Sequence, residues 1–292
     1  MMRYRVELGI ARACANLNDL EVAVDYTQRL ENKFLVEIDS SYPSCHETEQ
    51  LRMCVKSLGS ATDSFKLASN NSVEQLVSTI MTRVRIIAND AMGTDGAASA
   101  SYLSSTVIGG GKATDRSTVR MNYDLDDEAY ELAQVSEGYL SRLCSSIDEL
   151  IEPLRVHLVP RLSDAVVLGV LSGASKRMEA TMRRSRFTAL GALSMDSDIR
   201  YFLNFAKERL DSPDMSSNVA ICKACKPLAR LSQIALLMNV DDLEDVVDLI
   251  SVSKRKNNWD LNLEDAKAFL SLRVDFEGRK VNDLLRISDE QE

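Results

Sequence analysis

Residues 10 to 38, Ile10-ARACANLNDLEVAVDYTQRLENKFLVE-Ile38, decide the fold class. Ile10, Ala13, Leu17, Leu20, Val24, Phe34 and Ile38 recur at near-heptad spacing, and only Thr27 and Glu31 place polar groups on that stripe. Steps of three and four residues put all of these on one side of a helix, so the stretch predicts a long amphipathic helix that packs in a bundle or coiled coil. Tyr42-Pro43-Ser44 is its expected end, because proline lacks a backbone donor and disfavours helical geometry in the residue before it.

The same period continues outward along the chain. Leu51, Val55, Leu58, Thr62 and Phe65 predict a second helix, and Val73, Val77, Ile80, Val84 and Ile87 a third, opened by a capping box of Ser72 and Gln75. Between Ala91 and Tyr123 the pattern stops. Five of the 12 glycines fall between Gly93 and Gly111 among Ser, Thr and Ala, as in a flexible insertion. Periodicity returns with Leu132, Val135, Tyr139, Leu143, Leu150 and Leu154, and after Pro160 with Leu162, Val166, Val170 and Ala174. Gly169 and Gly173, one turn apart, would let a neighbouring helix approach closely. Phe202, Leu203 and Phe205 mark another helix, closed by Asp211-Ser212-Pro213; Ile221 to Met238 reads as a single element with a broad apolar face. Asp241 with Glu244 and Asn262 with Asp265 are expected to cap the last two helices. No sustained alternation of period two occurs, so the expected architecture is all-α.

Composition agrees. Aromatic residues make up 5% of the 292, and glycine and proline together number 17, which disfavours a β-sandwich or barrel. A net charge of −9 and a pI near 5.0 repel phosphate backbones, so no nucleic-acid partner is expected. Six scattered cysteines suit reduced thiols. The start, Met1-Met2-Arg3-Tyr4-Arg5-Val6, has a helical pattern and not a signal peptide's apolar core, and no window is apolar enough to span a membrane. A soluble protein that meets membranes only peripherally, through partners or a surface patch, is the expectation.

Motifs for chemistry are few. Gly109-Gly110-Gly111-Lys112 resembles a phosphate loop, but Thr106 stands where the first glycine belongs and Ala113 where a magnesium-binding hydroxyl belongs. Cys222-Lys223-Ala224-Cys225 has CxxC spacing without a second ligand pair or a preceding strand, and reads as two thiols on or beside a helix. His46 and His157 are the only histidines, and neither has an acid–base context. No catalytic residue, metal site or cofactor is therefore expected; an enzyme using Cys222 and Cys225 for metal or redox chemistry is the rival reading. Lys176, Arg177, Arg183, Arg184 and Arg186, against the single Glu179, form a basic cluster in an acidic chain. It is a candidate interaction patch for an acidic partner or anionic headgroups, or simply a solvated helix end.

The blocks Lys176-Arg177-Met178-Glu179, Arg186-FTALGA-Leu193, Ala229-Arg230-Leu231-Ser232-Gln233-Ile234-Ala235 and Leu272-Arg273-Val274-Asp275-Phe276, with the lone Trp259, resemble the C-terminal region of subunit 4 of the conserved oligomeric Golgi complex, a vesicle-tethering assembly. The resemblance implies two consecutive helical bundles of the rod-like tethering type: residues 1–190, carrying the insertion at 91–123, and a smaller helical domain at 191–292. It also implies a structural ion pair between Arg230 and Asp265, with Trp259 as an apolar anchor of the small domain; the local alternative for Asp265 is to cap its own helix. Implied partners are sibling subunits and membrane-fusion machinery, at the cytosolic face of the Golgi, in retrograde transport. Another helical tether, such as an exocyst-like subunit, is the alternative.

Overall fold

The computed structural model describes residues 2–41, 46–92, 121–135, 138–246, 249 and 259–276. Nine named α-helices make up most of them: α1 Met2–Ser41, α2 His46–Met92, α3 Asp127–Val135, α4 Tyr139–Arg155, α5 Pro160–Met182, α6 Ala189–Arg209, α7 Asn218–Ala224, α8 Lys226–Met238 and α9 Leu263–Leu270. The protein is all-α; among the described residues the only β-type pairing is an isolated bridge between Phe187 and Arg273. The chain divides into two compact units, one of residues 1–79 and 150–166, the other of residues 80–149 and 167–292.

In the first unit α1 and the first part of α2 run antiparallel. Arg52 pairs with Asp39 at 2.6 Å, and Thr62 Oγ1 donates to Thr27 Oγ1 at 2.9 Å. Thr27, which interrupts the apolar stripe of α1, thus meets a second hydroxyl at the interface, so each polar group has a partner. Asn18 of α1 clasps the turn between α4 and α5: its Nδ2 donates to His157 O at 2.8 Å and its Oδ1 accepts from Val159 N at 3.0 Å.

The second and third helices expected from the sequence are one helix of 47 residues. Ser72 does not open a new helix; its hydroxyl donates to Ala68 O, one turn back. Between Phe65 and Val73 there is neither glycine nor proline, and Ser69 stays buried on the inward stripe. Propagating a helix through weak formers is easier than ending it and nucleating another. The reverse holds at residues 221–238, where the expected single element is two helices meeting at Cys225. Pro227 has no N–H to give to the preceding turn, and its ring crowds that turn's carbonyl.

The core of the second unit is drawn from Val84 and Ala88 of α2, Leu143 and Ile147 of α4, Val170, Ala174 and Met178 of α5, and Ile199 and Phe202 of α6, all fully buried. At Gly173 a Cβ would lie 2.5 Å from Met81 Cε, so α5 and α2 approach closely at one of the two expected glycines. Toward the C-terminus, α6 packs on α3, α7 and α8, and α8 packs on α7 and α9. Residues 93–120 of the expected insertion, with Gly109 to Lys112, lie outside the described residues, as do Pro43, Cys45 and the tail after Phe276.

Candidate functional site

The densest polar network of the second unit joins the end of α5 to α8 and α9. Arg230 sits on α8, one turn before Gln233, so both side chains leave the same side of that helix. Asn262 accepts from Asp265 N at 2.6 Å and starts α9, which fixes Asp265 in the first turn with its carboxylate free to point elsewhere. Glu179 and Arg183 stand four residues apart where α5 ends.

These four side chains converge. Arg230 Nη2 donates to Asp265 Oδ2 at 2.9 Å and to Glu179 Oε1 at 2.8 Å, while its Nε reaches Glu179 Oε2 at 3.2 Å. Arg183 Nη2 donates to Asp265 Oδ1 at 2.6 Å and to Glu179 Oε1 at 2.8 Å, and its guanidinium lies 4.7 Å from the centre of the Phe269 ring. Two cations and two anions therefore alternate, and each carboxylate touches both guanidiniums. Burial alone would push the Glu179 and Asp265 carboxyls up; the hydrogen bonds and charges of Arg230 and Arg183 outweigh it and hold both below the ordinary carboxylate range. Hydrogen bonding to Glu179, then to Asp265, holds the Arg230 guanidinium even more firmly protonated.

The backbone of the preceding loop is fastened from the same helix. Arg230 Nη1 donates to Asp260 O at 3.1 Å, and Gln233 Oε1 accepts from Asp260 N at 2.8 Å and Leu261 N at 3.2 Å. Trp259, half-buried, immediately precedes this clasped pair.

A second clasp lies at the other end of α8. Arg273 is buried, and its Nη1 donates to Met238 O and Val240 O, each at 2.7 Å, taking up carbonyls that the helix end leaves without partners. Its Nε donates to Asp275 Oδ1 at 2.9 Å, and its guanidinium stacks 4.2 Å from the centre of the Phe276 ring. Phe187 N donates to Leu272 O at 3.0 Å and Val274 N to Phe187 O at 2.9 Å, binding this segment to the chain just before α6.

The structure separates the basic cluster. Lys176, Arg184 and Arg186 are exposed. Arg177 is half-buried and hydrogen-bonded to Asn89, and Arg183 belongs to the ionic network. Cys225 is buried and Cys222 partly so; burial raises both thiols, which leaves them protonated and poorly nucleophilic. Among the described residues no three His, Cys, Asp or Glu side chains are grouped to hold a metal ion, and no helix is long and apolar enough to cross a membrane. The arrangement offers held surfaces and tied segments rather than an acid–base pair.

A family model described as conserved oligomeric Golgi complex subunit 4, C-terminal, matches residues 13–268. The chain belongs to this family. The match runs through α5, α8 and the start of α9, and so takes in Glu179, Arg183, Arg230 and Asp265. Among relatives named conserved oligomeric Golgi complex subunit 4, the Arabidopsis thaliana protein is 22% identical over 265 residues, covering 91% of this chain and 31% of its own length. The Drosophila melanogaster relative is 20% identical over 284 residues, 96% of this chain and 31% of its length. The Homo sapiens relative is 18% identical over 164 residues, 56% of this chain and 20% of its length. The chain thus spans about a third or less of these Golgi-complex subunits.

Glu179 and Arg273 carry much of this geometry, although in the sequence Glu179 stands only as the single acid of the basic run and Arg273 only within a resembling block. The spacing of four between Glu179 and Arg183 is a signal for that pair. Nothing in the periodicity points to Arg273, whose acceptors lie more than 30 residues away in the chain.

Proposed function

We propose that the chain acts as a non-catalytic part of a Golgi vesicle-tethering subunit and supports retrograde transport within the Golgi through protein–protein contacts. The family match over residues 13–268 carries this reading. On it, the partners are sibling subunits of the tethering complex and membrane-fusion machinery, and the protein works at the cytosolic face of the Golgi, attached peripherally. The mechanism is adhesive: helical bundles present surfaces, and no bond is made or broken. The test is affinity capture of the tagged protein from its native cells. Sibling Golgi-complex subunits should co-purify, and deleting the gene should impair Golgi glycosylation; capture of another tether's subunits with normal glycosylation would overturn the reading.

The ionic network belongs to the same proposal as a structural site. We take residues 191–292 as the smaller C-terminal helical domain, held to the end of α5 through Glu179 and Arg183, with Trp259 as its apolar anchor. Of the basic run, Lys176, Arg184 and Arg186 remain as the interaction patch. Limited proteolysis tests the division: a stable fragment beginning near residue 190 supports it, and cleavage scattered through α6 to α9 speaks against it.

A further inference from the structure

Residues 121–126 belong to the second unit and lead into α3. Tyr123 pins this segment. Its ring is buried and stacks on Phe187 with centroids 5.0 Å apart. Its carbonyl accepts from Thr188 N at 3.1 Å, beside Gly191, where a Cβ would fall 1.7 Å from that same oxygen. Two residues on, Leu125 exchanges hydrogen bonds with the Thr188 hydroxyl, donating from its N–H at 3.3 Å and accepting on its carbonyl at 2.7 Å.

The Tyr123 hydroxyl enters a small cluster in which both phenols are buried and Asp198 is half-buried. It donates to Asp198 Oδ2 of α6 at 2.9 Å and lies 2.8 Å from the Tyr139 hydroxyl of α4, which is left to donate to the Tyr123 oxygen. Two phenols and one carboxyl thus join three segments: residues 121–126, α4 and α6. Among the described residues, the two phenols and the Cys144 thiol of α4 act on this cluster, the Arg209–Asp148 ion pair reaches that thiol, and no guanidinium or ammonium is paired with the Asp198 carboxyl. The charged residues on the elements packed against α6 are occupied or turned outward: Asp127, Glu128 and Glu131 of α3 are exposed, as is Lys223 of α7, and Arg230 of α8 is in its own ion pairs. On α4 and α6, Asp148 pairs with Arg209, and Asp196 pairs with Arg200 at 2.7 Å.

We propose that Asp198, Tyr123 and Tyr139 form a proton-operated latch, which holds residues 121–126 against α4 and α6 more tightly when Asp198 carries a proton. The carboxyl can accept from Tyr123 in either state, so protonation weakens that bond without breaking it and removes a half-buried charge that no cation balances. Burial supports this by raising the Asp198 carboxyl from 3.8 to about 6, against the opposing pull of the Tyr123 hydrogen bond. A carboxyl raised on folding binds its proton more tightly in the folded chain, so its contribution is greatest in acid and is lost as pH rises through about 6. At neutral pH the latch is ionised and at its weakest, and mild acidification tightens it. The network at Glu179 and Asp265 responds in the opposite sense, which makes the two separable.

The test compares the full chain with Asp198→Asn, an isostere that accepts from Tyr123 without a charge. Unfolding equilibria from pH 5 to 8 should show the variant more stable than wild type at pH 7.5, with the gap closing toward pH 5. A carboxyl raised from 3.8 to about 6 can change the folding constant by about 100-fold at most. In parallel, the Leu125 and Thr188 amides should exchange more slowly in the variant at neutral pH, after correction for intrinsic rates. Parallel pH profiles for the two proteins, or an Asp198 carboxyl titrating below 5 by carbon NMR of the wild type, would overturn the latch. The NMR titration decides the question even where the variant folds poorly.

Discussion

Replacing Arg230 by alanine takes one guanidinium out of the four-residue ionic network and leaves Glu179 and Asp265 sharing Arg183. The magnitude follows from burial. Breaking a fully buried pair costs about 3–5 kcal/mol, whereas an exposed pair is worth about 0.2–1 kcal/mol. The Arg230, Glu179 and Asp265 side chains are 24%, 12% and 20% exposed, which places the pairs nearer the buried end. Arg183 still neutralises one negative charge, so the expected loss is about 2–3 kcal/mol, including the hydrogen bond to Asp260 O. Arg230→Lys restores a point charge but not the fork that spans two carboxylates, and should recover no more than about half of that loss.

Trp259 is the only tryptophan and directly precedes the fastened Asp260, so its fluorescence in a urea titration reports on this region. A double-mutant cycle with Asp265→Asn should show a coupling of about 1–2 kcal/mol. The pH dependence supplies a second check. Glu179 and Asp265 are held below their ordinary values, so their contribution is complete above the unfolded carboxyl range, near pH 4, and is lost as pH falls through their lower folded values. Arg230→Ala should therefore lose stability less steeply on acidification than wild type. An alanine variant within about 0.5 kcal/mol of wild type, or a lysine variant indistinguishable from arginine, would refute the reasoning.

Three further substitutions probe other joints. Arg273→Ala removes both donors to Met238 O and Val240 O from a buried position; it should cost about 3 kcal/mol and raise amide exchange in the last turn of α8, measured by mass spectrometry. Gly191→Ala places a methyl group against the Tyr123 carbonyl and should displace residues 121–126 or block folding, whereas Gly9→Ala, with open space around it in α1, should stabilise by about 0.5–1 kcal/mol; thermal melts of the two give opposite signs. In the first unit, Thr27→Val or Thr62→Val alone should cost no more than about 1 kcal/mol, because the remaining hydroxyl keeps its bond to Ala23 O or Leu58 O in its own helix, and the double variant should cost less than the sum; a strictly additive double would contradict a paired role.

Much of the fold was legible because helix faces are written locally. Leu17, Val24 and Ile38 are buried where the stripe of α1 puts them, although Ala13 and Phe34 of that stripe are exposed, and Asn262 caps α9 as its position before Asp265 suggests. Helix ends were less legible because competition between weak formers and packing decides them. Ser72 looks like a cap, yet the buried Ser69 and Ile80 continue the inward stripe through it; Cys225 looks helical, yet Pro227 two residues later forces a break. The polar network was legible only in pieces. Arg183 reads as one cation of a basic run, because nothing local says that Asp265, 82 residues away, will meet it.

The polar clasps are concentrated around α9 for a physical reason. That helix has eight residues, too few to be stable in isolation, and residues 259–262 directly before it are not helical. Ala266, Phe269 and Leu270 give it an apolar face, but apolar contact alone would tolerate several rotations and registers of so short a cylinder. Directional bonds remove that freedom. Arg230 and Gln233 fix the loop before the helix, Asp265 fixes its first turn, and Arg273 with the Phe187 pairing fixes the residues after it. An ionic network adds little net stability over well-packed apolar residues, but it penalises every arrangement in which a buried charge loses its partner. Arg230→Met and Arg183→Met combined with Glu179→Gln and Asp265→Asn should separate the two effects, since all four charges go together. If the network selects one arrangement, the quadruple variant keeps most of its stability, shows a broader urea transition, and exchanges amides of residues 260–276 faster; a variant as rigid as wild type would assign the network to stability alone.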